Sequence, residues 1–184
     1  MKTIPGKEEE AAQLIRKTVS PSFWEICTVP KKQKLFRADG KLILDTGCLF
    51  PAYLFLKSDR IREMEAILKR SREYPGLLGA EDQKAVRIEE EDLAFLKQVC
   101  GERLERPMAL SEVETDKEGN LIRIEGILKP YSGTIVRKRL RKRYVLAEVG
   151  LFGRKQTVLF GIWMPGDEIW QGTRKIQQTT FLRQ

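Results

Sequence analysis

The chain has 184 residues, a net charge of +8 and 41% hydrophobic residues, which suits one substantial domain or two small ones with a real core. It contains no histidine, which excludes Ser-His and Cys-His nucleophiles and removes the most common general base. Cys27, Cys48 and Cys100 are too widely spaced for the common zinc patterns and too few for a disulfide framework, so neither metal nor cofactor is expected.

Residues 7 to 19, "KEEEAAQLIRKTV", place acids in the first turn and apolar Ala12, Ile15 and Val19 at helical spacing; this predicts an amphipathic helix ended by Pro21. "SFWEICTVP" reads as a strand and "LFRADGKLIL" as a hairpin turning at Asp39-Gly40. "CLFPAYLFLK" reads as a buried strand with Pro51 near its entry. Ser58 or Asp59 caps a second helix striped by Ile61, Met64 and Leu68. "EYPGLLG" predicts a turn followed by a short extended piece. Glu89, Glu90 and Glu91 suit the positive end of a third helix, with Leu93, Leu96 and Val99 on one face and Gly101 as its stop.

The first hundred residues thus alternate strands and helices, whereas short strands punctuated by glycine follow from about residue 119. Between them, residues 103 to 118 are polar and acid-rich and contain Pro107. Glu112, Glu114, Asp116 and Glu118 read as solvating charges of an exposed linker. The expected division is 1–102, a linker at 103–118, an all-β module at 119–165 and a tail at 166–184 without assignable period, in which Trp170 and Phe181 are the residues able to dock.

The charge is concentrated in the all-β module. Residues 119 to 165 hold ten Lys or Arg against two acids, a balance of +8, and the rest of the chain balances to zero. Six of these cations, Arg137, Lys138, Arg139, Arg141, Lys142 and Arg143, lie in "VRKRLRKRY", interrupted only by Leu140. A run of like charge is usually a solvated tail, but β-branched residues precede this one and an apolar strand follows it. It reads as the tip of a β-hairpin that gathers six side chains on one small surface. One or two lysines suffice to protect a sheet edge, so this density points to a polyanion. Arginine adds planar bidentate contacts to phosphate or base edges. Tyr131, Tyr144 and Phe152 are aromatic candidates for stacking on unpaired bases. Lys129, Arg154 and Lys155 extend the basic set. Lys31, Lys32 and Lys34 are placed to reach DNA in a larger assembly, but a charged hairpin is the simpler reading. No apolar run reaches about 18 residues and "MKTIPGKEEE" has no signal-peptide pattern, so a cytoplasmic protein is expected, without a membrane partner. No enzyme motif is present.

The order of motifs resembles the NusG family of transcription elongation factors over roughly residues 5 to 164. "PGKEEEAAQLI" is similar to the start of that family's first helix, "LFPAYLFLKSD" to its Phe-Pro-Gly-Tyr core strand, and "EYPGLLG" and "VRIEEEDLAFL" to a later turn and the last helix of its amino-terminal domain. "IRIEGILKPYSGTIV" with "VLAEVGLFGRKQTVLFG" resembles the family's carboxy-terminal KOW module. The resemblance implies an α+β chain: an NGN-type α/β sandwich with an antiparallel sheet, a linker, and a small SH3-like KOW barrel. It further implies that the first domain holds bacterial RNA polymerase, with Phe50, Tyr53 and Phe55 in or beside the contact face. Tyr53 and Phe55 should share one face of the strand, and Leu54 and Leu56 the other. The loop with Phe152, Gly153 and Arg154 corresponds to the barrel's partner loop. Two departures stand out: the family's opening aromatic strand is reduced to Met1–Ile4, and Ala52 replaces the usual glycine, a mild change. Among specialised members, the LoaP-type antiterminators, with an RNA hairpin on a basic KOW module, suit the +8 segment best. The expectation is therefore a monomeric antitermination and elongation factor binding polymerase and a nascent RNA hairpin. The alternatives are a general elongation factor whose barrel binds a termination factor or ribosomal protein, and a ribosomal or RNA-scaffold KOW protein.

Overall fold

The computed structural model describes residues 1–70, 72, 74, 87–172 and 174–176, and its fold is α+β. The chain forms two compact units that differ from the sequence division: one comprises residues 1–30 and 50–106, the other 31–49 and 107–184.

In the first unit, helix α1 (Glu8–Thr18) follows its amphipathic pattern and buries Ala12 and Ile15. Strand β1 (Ile26–Thr28) is shorter than predicted because a 3-10 turn takes Pro21–Phe23, its entry held by the Ser20 hydroxyl. Strands β2 (Lys31–Ala38) and β3 (Lys41–Cys48) belong to the second unit. Strand β4 (Phe55–Lys57) pairs antiparallel with β1, Cys27 opposite Leu56. The segment before α1 makes a single bridge, Lys2 opposite Tyr53, with Thr3 N–H donating to Ala52 O at 2.8 Å. Helix α2 (Ile61–Leu68) buries Met64 and Leu68, and the Ser58 hydroxyl accepts from Arg60 N–H at 3.0 Å just before it. Helix α3 (Glu90–Cys100) buries Phe95, Leu96, Val99 and Cys100, and Gly101 ends it at φ 79°, as its stop position predicts. The turn predicted at "EYPGLLG" lies outside the described residues except for Tyr74.

The second unit contains a five-stranded curled sheet of β5 (Ser111–Thr115), β6 (Leu121–Glu125), β7 (Ile135–Arg139), β8 (Tyr144–Leu151) and β9 (Arg154–Trp163), in the order β6-β5-β9-β8-β7. The expected linker is therefore corrected: Ser111–Thr115 within it form an interior strand. Ser111 and Val113 are buried while Glu112 and Glu114 stay half-exposed, a period of two in which the acids occupy the outer positions. The Ser111 hydroxyl accepts from Leu128 N–H at 2.9 Å, which satisfies both groups in the core. Register places Val145 opposite Phe160 and Ala147 opposite Val158, and these four side chains line the inside of the curl.

The second half of β9 is buried on both faces, which accounts for its continuous apolar run. Its outer face carries Trp163 and Gly161 and packs on the β2–β3 hairpin, forming a second core of Leu35, Leu42, Leu110, Trp163 and Ile169. A side chain at Gly161 has no room: a Cβ there would stand 2.5 Å from Gln33 O and 2.6 Å from Leu110 Cδ2. The hairpin turns at Asp39 (φ 49°) and Gly40 (φ 78°), as the Asp-Gly pair predicts. The tail contributes β10 (Ile169–Gln171) and β11 (Arg174–Ile176), giving a four-stranded sheet β11-β10-β3-β2. Trp170 docks within it; Phe181 lies outside the described residues.

Candidate nucleic-acid interface

The basic run spans β7, a 3-10 turn at Leu140–Lys142, and Arg143. Strand β7 is an edge strand, paired only with β8, and a bulge between Ile135 and Arg137 leaves Val136 unpaired. Beyond the bulge the pleat sorts the cations. Arg137 and Arg139 stand opposite Leu146 and Tyr144 on the outer face, whereas Lys138 stands opposite buried Val145. Lys138 Nζ donates to Gly119 O at 3.2 Å, tying β7 to the β5–β6 turn. Leu140 approaches the same glycine, with Cδ1 3.7 Å from where a Cβ would lie. The curl thus brings its two edge hairpins together at this end.

A single six-cation tip is corrected by this arrangement. Arg143 turns away from solvent: its backbone is left-handed at φ 54°, and its guanidinium forks onto Asp167, Nε donating to Oδ2 at 2.6 Å and NH2 to Oδ1. A third donor of the same group reaches Leu140 O. The guanidinium is a structural staple of the turn and not a ready phosphate ligand. Arg137, Arg139, Arg141 and Lys142 remain exposed and form no ion pair with a described residue. These four constitute the candidate site.

The peripheral residues divide in the same way. Lys129 pairs with Glu125 at 3.0 Å and Lys155 with Glu148 at 3.5 Å, both on the surface, where such pairs contribute little. Tyr144 is half-buried, opposite Gly161 in the ladder. Tyr131 is no free stacking ring: it stacks on core Phe160 with centroids 5.5 Å apart, and burial raises its phenol pKa. Phe152 is 40% exposed at the tip of the β8–β9 hairpin, where it and Gly153 adopt φ 56° and φ 69°, and Arg154 is exposed beside it. Left-handed backbone at a bulky residue is uncommon and costs energy that packing elsewhere must cover.

In the first unit, the expected alternation of Tyr53 and Phe55 against Leu54 and Leu56 is corrected. Leu54 and Phe55 are consecutive and both buried, because regular strand begins only at Phe55. Phe55 is core, with its ring 6.0 Å from Phe50, while Phe50 and Tyr53 are half-buried and retain a surface edge. The irregularity originates at Ala52, whose φ is 71°. This backbone is fixed by Glu8, which is 3% exposed and whose Oε1 accepts from Ala52 N–H at 2.7 Å and from Gly6 N–H at 3.0 Å. The Glu8 contact has no motif in the sequence, since 44 positions separate the partners. The Asp167 staple is equally silent there, and only the Pro165-Gly166 turn before it marks a place where the chain reverses. Compared with protein-family models and with curated proteins, the chain matches none.

Proposed function

We propose that the chain is a non-enzymatic transcription antitermination and elongation factor of the NusG kind, which holds RNA polymerase through its first unit and nascent RNA through the β7–β8 hairpin. The observation that carries this reading is the group Arg137, Arg139, Arg141 and Lys142, exposed and without acid partners among the described residues, on the edge of a curled five-stranded sheet. Four exposed cations on one hairpin repel one another and pair with no acid among the described residues, which suits a polyanion better than the needs of the fold. A curled five-stranded sheet is also what a KOW barrel requires. In the first unit, left-handed Ala52 falls at the position where the family carries glycine, and Phe50 and Tyr53 keep part of their rings at the surface. The β2–β3 hairpin, which the resemblance assigned to the first domain, and the tail strands form a separate four-stranded sheet in the second unit.

One observation favours the general-factor alternative, in which the barrel recruits protein: Phe152 is exposed on a strained hairpin tip beside Arg154. Affinity capture from bacterial extract, with crosslinking and sequencing of bound RNA, separates the readings. The proposed function gives polymerase together with RNA crosslinked to residues 137–142. Polymerase with protein crosslinked at Phe152 and no RNA supports the alternative, and ribosomal subunits without polymerase contradict both.

A further inference from the structure

The four-stranded sheet has a second face, turned away from β9, with a composition that the core does not explain. Register fixes its members. Phe36 stands opposite Ile43, Ile43 beside Trp170, and Trp170 opposite Lys175, so one row crosses all four strands. Phe36 is 45% exposed, and Ile43 and Trp170 are half-buried. By the same alternation Lys32, Lys34 and Lys41 share this face. Lys41 Nζ lies 4.2 Å from the centroid of the Trp170 ring, a cation–π contact that holds an ammonium over the middle of the row. Asp45 offsets Lys34 at 3.0 Å and Glu168 offsets Lys175 at 2.7 Å, which leaves four lysines against two acids. Burial first, and the nearby Lys34 second, lower the Lys32 pKa, and a bound anion would favour its charged form.

We propose that this face, with Phe36 as its stacking ring and Lys32, Lys34 and Lys41 as its phosphate contacts, is a binding platform for single-stranded RNA. Apolar partners and membranes fit it less well: the exposed aromatic area is narrow and lies between ammonium groups spaced along two strands. An aromatic ring interleaved with lysines on an open sheet is the pattern by which unpaired strands are held, bases on rings and phosphates on cations. The platform lies on strands other than β7 and β8, although β2 passes close to the Leu140–Lys142 turn, and its choice of RNA over DNA rests on the function proposed above. The two surfaces then divide the labour, the hairpin cations taking folded RNA and the sheet face an adjoining unpaired strand.

The test uses the full chain, a short fluorescent oligouridylate and the matching oligodeoxythymidylate. Phe36→Ala should weaken oligouridylate binding about tenfold, within the range for loss of one base–aromatic stack, while Phe36→Tyr retains it. Lys41→Gln should also weaken it and reduce its salt dependence. Replacement of Arg137, Arg139, Arg141 and Lys142 by glutamine should weaken oligouridylate binding only in part, because it removes attraction for any polyanion, and the difference between Phe36→Ala and Phe36→Tyr should persist in that background. No binding of oligouridylate by the parent chain, equal binding by Phe36→Ala and Phe36→Tyr, or complete loss in the hairpin variant overturns the platform. Preference for the DNA strand overturns its assignment to RNA, and with the hairpin still binding folded RNA would leave the proposed function standing.

Discussion

The guanidinium of Arg143 and the carboxylate of Asp167 form a two-pronged ion pair across 24 positions, with only 13% and 7% of their side chains exposed. Asp167 also accepts from Met164 N–H at 2.8 Å, so one carboxylate fastens the hairpin end of β8 and the turn after β9. Removing one partner leaves a charge buried without its counterion. Arg143→Gln and Asp167→Asn should each destabilise the chain by about 3 kcal/mol. The double variant should cost less than the sum. Urea denaturation of the three variants checks this; additive losses would show that the pair is not coupled.

A left-handed alanine is the second point of stored strain. Non-glycine residues pay roughly 1–2 kcal/mol in this region. Ala52→Gly should therefore raise the melting temperature, and Glu8→Ala should lower it by removing the acceptor that holds Ala52 N–H and Gly6 N–H. Thermal melts of the two variants decide the matter, and a lower melting temperature for Ala52→Gly would contradict the strained reading.

The packing of β2 on β9 depends on the absence of a side chain at Gly161. Gly161→Ala forces a methyl group against Gln33 O, which is backbone and yields little. A loss of about 1–3 kcal/mol follows from overpacking of this kind. Hydrogen exchange should show β2 amides deprotecting first, whereas unchanged protection there would place the packing elsewhere.

The β5–β6 turn that receives Lys138 has a pH dependence. Asp116 accepts from the Asn120 side-chain amide at 2.9 Å and from Asn120 N–H at 2.7 Å, and these bonds, side chain first, hold its carboxyl below the ordinary aspartate value. A depressed folded pKa contributes stability that is present above the unfolded value and is lost as pH falls through the folded one. The Asn120 amide resonances should therefore stay constant down to about pH 4, the ordinary aspartate range, and titrate below it. A midpoint at or above that value would contradict the assignment.

Local chemistry explains which elements were legible. Acids in a first turn, apolar spacing of three and four, Asp39-Gly40 and Gly101 each act within a few residues, and α1, α2, α3 and the β2–β3 turn appear where those signals stand. Strand β5 was hidden because its alternate positions are glutamates, whose charge reads as solvation when the partner strand is unknown. Its Glu114 instead pairs across the ladder with Arg123 at 2.8 Å. Assignment of the β2–β3 hairpin to the second unit depends on bonds such as Leu110 N–H to Gln33 Oε1 at 3.1 Å, 77 positions apart, for which no local pattern exists. The unit crossings do carry a weak mark: Pro30 and Pro107 stand beside two of them and Pro51 one position past the third. At the site, the charge density was legible but its sorting was not, because the bulge at Val136 and the left-handed Arg143 decide which cations face solvent.

The most direct test of the account is the salt dependence of RNA-hairpin binding by the full chain and by a variant with Arg137, Arg139, Arg141 and Lys142 changed to glutamine. Four phosphate contacts give a slope of log affinity against log salt near −3, at about −0.7 to −0.9 per contact. That slope is expected for the parent chain, and for the variant a much shallower slope, weaker binding and an unaltered melting temperature, since these side chains make no ion pair with a described residue. Tight hairpin binding by the variant with the parent slope would contradict it, and would make the basic run the solvated guard of an edge strand.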